Sequence, residues 1–181
     1  MMLKRAAFLV AITLTSLVIC LGLLTDRARA AESAGEFLKS LEGHYRGRGS
    51  AEITPGRPAE RVACQVSNRY DAKASALVVE GNCASTQGKS KVDGRITHQG
   101  NDVSGMLISS LDASVTKSTG YMKDDRLRVF TSFVENVTKK LTRTLQVISH
   151  ADNGYEADFY VFDNKSGKYE KSGHMSFSRT N

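Results

Sequence analysis

A chain of 181 residues, 40% of them hydrophobic, has the length for one domain with its own core. Its formal charge of +6 owes much to the first thirty residues, where Lys4, Arg5, Arg27 and Arg29 stand against Asp26. The remainder carries about +3, with no basic run longer than two residues and no aromatic interleaving, so the charge gives no sign of a nucleic-acid partner.

Residues 1–30 have the three parts of a secretory signal. Lys4 and Arg5 form a basic start, Ala6 to Leu24 is apolar apart from Thr13, Thr15 and Ser16, and Ala28-Arg29-Ala30 supplies small residues for cleavage. A membrane anchor would need about 20 apolar residues, and the hydroxylated positions and the cleavage site argue against it. Cys20 follows Ile19, where lipid attachment wants a small residue. The expectation is a cleaved signal over 1–30 and a domain over 31–181. That domain would act in the periplasm or outside the cell, with no stable membrane anchor.

Phe37, Leu38 and Leu41 then recur at helical spacing, enough for one or two turns. Everything after reads as strand and turn. Segments rich in β-branched and aromatic residues occupy 43–54, 60–70, 75–84, 90–98, 102–111, 113–122, 126–136, 140–150, 154–163 and 167–179. Turn signals at Thr54-Pro55-Gly56, Gln87-Gly88, Gly100-Asn101, Asp124-Asp125, Asp152-Asn153-Gly154 and Asn164-Lys165-Ser166-Gly167 separate them. On the first strand, Gly47 and Gly49 permit curvature or a close approach, and curvature is the favoured reading.

Cys64 and Cys83 are the only cysteines beyond the signal, and in an oxidising compartment an even pair reads as a disulfide. A hairpin turn over 71–76 would set them opposite each other on neighbouring strands. Further on, Leu127, Val129, Thr131 and Phe133 alternate along one face. Leu141, Leu145 and Val147 do so along another segment, then Tyr155, Ala157, Phe159 and Val161, then Met175 and Phe177. Such alternation implies one buried and one wet face. The fold expected is all-β: an antiparallel barrel of eight to ten strands, or a closely related sandwich, with a short N-terminal helix and one disulfide.

The stretch Phe37 to Gly49, with Gly43-His44-Tyr45 after a short helix, resembles the opening of calycin and lipocalin-like secreted barrels, which carry Gly-x-Trp there. The resemblance implies that an arginine late on the last strand packs over the Tyr45 ring and helps close the barrel. Arg179 holds that place. The spacing of Gly43, Tyr45, Gly47 and Gly49 is also similar to that of nitrobindin-like haem barrels, in which His174 would be the haem ligand. His174 has the opposite parity to Met175, Phe177 and Arg179, so no cofactor is expected. Leu41 to Tyr45 with the two cysteines further resembles small secreted barrels that inhibit bacterial metalloproteases.

No motif of catalysis emerges. The four histidines are dispersed without the i,i+2 spacing of strand-borne metal ligands, and no Gly-x-Ser-x-Gly is present. Asp and Asn cluster in turns, where they serve backbone geometry. Asn136-Val137-Thr138 and Asn164-Lys165-Ser166 have the form of glycosylation sites. The expectation is a non-enzymatic binding protein. One reading is a carrier of a small apolar or lipid ligand lined by Leu77, Val79, Val129, Phe133, Val147, Phe159 and Val161. The other is a module that binds or inhibits another envelope protein through its loops, with the same side chains filling a narrow barrel.

Overall fold

The computed structural model describes residues 32–52, 58–106, 113–135 and 139–180. The expected export signal lies outside the described residues, as do the turn around Pro55 and the sequence Asn136-Val137-Thr138.

Helix α1 (Ala34–Ser40) begins with a capping box. The Ser33 hydroxyl accepts from the Glu36 N–H at 3.3 Å, and the Glu36 carboxylate accepts from the Ser33 N–H at 3.1 Å. A cap of this kind contributes about 1 kcal/mol to a helix too short to hold itself. Phe37 and Leu38 are fully buried beneath it, with Leu41 just beyond, so packing against the barrel supplies most of its stability.

Ten strands follow: β1 (Gly43–Ala51), β2 (Glu60–Asp71), β3 (Ala76–Ser85), β4 (Gly88–Gln99), β5 (Asp102–Met106), β6 (Ala113–Lys123), β7 (Arg126–Glu135), β8 (Leu141–Ala151), β9 (Gly154–Asp163) and β10 (Lys168–Thr180). Each pairs antiparallel with its neighbours in the chain, and β1 pairs with β10 from His44↔Thr180 to Ala51↔Gly173. The result is a closed up-and-down barrel, in which closure removes the two edges an open sheet would expose. The turns follow from local chemistry. Asp124 and Asp125 both adopt a φ of 54°, the left-handed pair of a two-residue hairpin. The Asp71 and Asp163 carboxylates each accept two backbone N–H groups of the turn that follows.

Cys64 faces Cys83 across the β2–β3 ladder and the two are disulfide-bonded. Closing a loop of this length contributes about 3 kcal/mol in the loop-entropy account. Gly47 and Gly49 serve close approach rather than curvature alone. A Cβ on Gly47 would strike the Phe177 ring, and one on Gly49 would strike the β10 backbone at His174.

One expectation about facing is corrected by the register. β8 pairs with β7 as Leu127↔Ile148 and Val129↔Gln146, so its even-numbered residues point inward with the core. Leu141, Leu145 and Val147 therefore lie on the outer surface. Val147 sits between Arg128 and Asp158 there, and Leu145 between Phe130 and Tyr160. Leu145 and Val147 are nonetheless only 9% and 8% exposed. An apolar strand face can thus be covered from outside the barrel as well as from within.

Candidate interior binding site

α1 covers the end of the barrel where the β2–β3, β4–β5, β6–β7 and β8–β9 hairpins turn. Phe37 packs on the His150 ring at 4.6 Å, and the Glu32 carboxylate lies 3.0 Å from His150 Nε2. On the other side Gly35 lies against the His98 ring, whose Nε2 is 2.9 Å from the Tyr70 hydroxyl. Asn68 donates from Nδ2 to the Leu41 carbonyl at 3.0 Å, tying the end of the helix to β2.

Arg179 ties the same region from the last strand. It donates to the Glu42 carbonyl at 2.6 Å and the Ser40 carbonyl at 3.2 Å, and its guanidinium lies 5.1 Å from the Tyr45 ring. A cation beside the terminal carbonyls of a helix and over an aromatic face is favourable on both counts. Burial pushes the Tyr45 hydroxyl above its ordinary pKa, and the Arg179 charge partly opposes that shift.

Above this floor the barrel holds a cavity of about 190 Å3. β2 and β3 supply Val62, Cys64, Val66, Asn68, Leu77, Val79 and Cys83 to its wall, and β4 supplies Val92 and Ile96. Opposite stand Gln146 and Ile148 from β8, Tyr155, Ala157 and Phe159 from β9, and Met175 and Phe177 from β10. Tyr155 stacks on Phe177 at 4.5 Å and meets Tyr45 edge-on at 4.9 Å. Burial drives the Tyr155 hydroxyl far above its ordinary pKa, with the neighbouring Asn68 side chain acting the other way, so the phenol keeps its proton.

Of the residues expected to face a ligand, Leu77, Val79 and Phe159 stand on the cavity wall. Val129 is buried in the core but off this wall, and Phe133 and Val161 lie on inward-facing positions away from it. Val147 is outside the barrel. The polar members, Asn68 and Gln146, were not anticipated. Asn68 stands between Ser67 and Arg69 in a polar stretch, yet it shares parity with Cys64, Val66 and Tyr70, and that spacing was the available signal. It is 4% exposed, and its Oδ1 has no hydrogen-bond partner in the protein.

His174 points outward, where its Nδ1 lies 2.8 Å from an Asp158 carboxylate oxygen that also pairs with Lys171 at 2.7 Å. Among the described residues no group of three or more His, Cys, Asp and Glu is arranged to hold a metal. Comparison with protein-family models and with curated proteins finds no match for this chain.

Proposed function

We propose that this chain, after loss of its first thirty residues on export, is a periplasmic or secreted barrel that holds a small apolar or lipid-derived ligand and catalyses no reaction. The observation that carries this reading is the cavity itself, walled mainly by aliphatic and aromatic side chains beneath the capped helix. A barrel of this kind can be filled by its own side chains, and this one keeps about 190 Å3 unfilled. That exceeds the roughly 150 Å3 of an apolar protein cavity known to accept benzene, and falls below the usual few hundred Å3 of drug-sized sites. The fitting occupant is one ring or a short alkyl chain, not a whole phospholipid.

A second reading, a module that docks on another envelope protein, has support on the outer surface. Phe130, Phe162 and Tyr169 form an aromatic run there, with centroids 6.0 and 5.2 Å apart, and Arg143 lies 3.8 Å over the Phe162 ring. Aromatic residues and arginine are the side chains enriched at protein interfaces. Native mass spectrometry with solvent extraction, on protein purified from its own envelope, separates the two. A recurrent small-molecule adduct is expected. Protein that is consistently free of adducts and travels with a protein partner would replace the carrier reading by the second.

A further inference from the structure

The cavity holds a buried acceptor that nothing in the protein uses. Asn68 spends its Nδ2 on the Leu41 carbonyl, and that hydrogen bond fixes which way the amide faces. Its Oδ1 is buried without a partner in the protein, in a residue that lines the cavity and is only 4% exposed. A buried acceptor without a donor is a standing cost, and a donor brought by a ligand removes it.

The charges of the wall narrow the choice further. Among the described residues that line the cavity there is no Lys, Arg, His, Asp or Glu. A carboxylate brought here would lose its water without meeting a cation, and an ammonium would meet no anion, so either charged end is excluded by desolvation. Beside Asn68 stands the Tyr155 phenol, protonated and hydrogen-bonded with the Asn68 side chain.

We infer that the ligand is a neutral molecule with an apolar ring or short chain and one hydroxyl, whose proton is donated to Asn68 Oδ1 at the helix-covered end of the barrel. This rests on the reading of the barrel as a ligand holder. The body of the molecule lies among Val66, Leu77, Ile148 and Met175, which make no polar demand.

Three probes of one shape test the inference: p-cresol, toluene and 4-methylbenzoate, titrated into the full exported domain at pH 7 by calorimetry or NMR. The expected order is p-cresol tighter than toluene by roughly fivefold, the gain of one hydrogen bond to an otherwise unpaired group, with no binding of 4-methylbenzoate. In Asn68→Leu, p-cresol and toluene should converge while toluene still binds. The wild-type series stands on its own should that variant fold poorly. Equal affinity of p-cresol and toluene for the wild type, or preferred binding of the carboxylate, overturns the hydroxyl inference and leaves the carrier reading intact. No binding of any probe at millimolar concentration overturns both.

Discussion

The two walls of the barrel use their inward positions differently. On β2 and β3 those positions are mainly Val62, Cys64, Val66, Leu77, Val79 and Cys83, an apolar lining that leaves open space and is stapled by the disulfide. On β6 to β8 the interior mixes Leu127 and Val129 with Ser118, Thr131 and Gln146, all buried. The Ser118 and Thr131 hydroxyls meet at 2.7 Å, while the apolar Leu145 and Val147 of β8 face outward. The first wall borders the open cavity, and β6 and β7 pack as its support. On β8, whose Gln146 and Ile148 also line the cavity, the polarity of a side chain does not reveal which way it points.

This contrast can be broken most directly with matched truncations. Leu127→Ala, in the filled wall, should cost about 2–5 kcal/mol, because the removed atoms are surrounded on all sides. Leu77→Ala only enlarges a space that already exists and forfeits fewer contacts, so its cost should fall clearly below that of Leu127→Ala. Urea melts with unchanged m-values would measure both. Equal costs would mean that the cavity is closed in solution.

The hydroxyl pair sharpens the comparison at an intermediate scale. Ser118→Ala leaves the Thr131 hydroxyl buried and unpaired at a cost of about 1–3 kcal/mol. Adding Thr131→Val should recover most of that loss in a double-mutant cycle. Additive losses would show that the two hydroxyls do not depend on each other.

The smallest effect lies on the outside of the barrel. Burial acts to raise the Asp158 pKa, but hydrogen bonds from Lys171 and His174 outweigh it and hold the carboxyl below its ordinary value. A carboxylate with a depressed folded pKa stabilises the protein above its unfolded pKa of about 3.9, and this stabilisation is lost as pH falls through the folded value. Asp158→Asn should therefore cost under about 1 kcal/mol at pH 7, since the pair is partly exposed, and the difference should vanish in acid. A difference that grows as pH falls would reverse the assignment.

Much of the architecture was legible before the structure. Strand rhythm, Asp-rich turns and cysteine spacing follow from local rules, and the strands of the closed barrel fall within a few residues of the expected spans. The capping box was there to be read in Ser33-Ala34-Gly35-Glu36, a motif whose chemistry lies within four residues. The site was only partly legible. Leu77, Val79 and Phe159 follow from apolar alternation, but Asn68 does not, because its role depends on the Leu41 carbonyl twenty-seven residues away.

What the sequence by itself determined is therefore the local grammar: where strands begin and end, which turns reverse them, and which cysteines meet. Tertiary structure alone decided which face of β8 points inward, because register is set by pairing across strands and a face covered from outside is as apolar as one covered from within. It also decided that β1 and β10 close the sheet around a cavity and not around a solid core, since a void depends on how side chains from seven strands and the helix end meet.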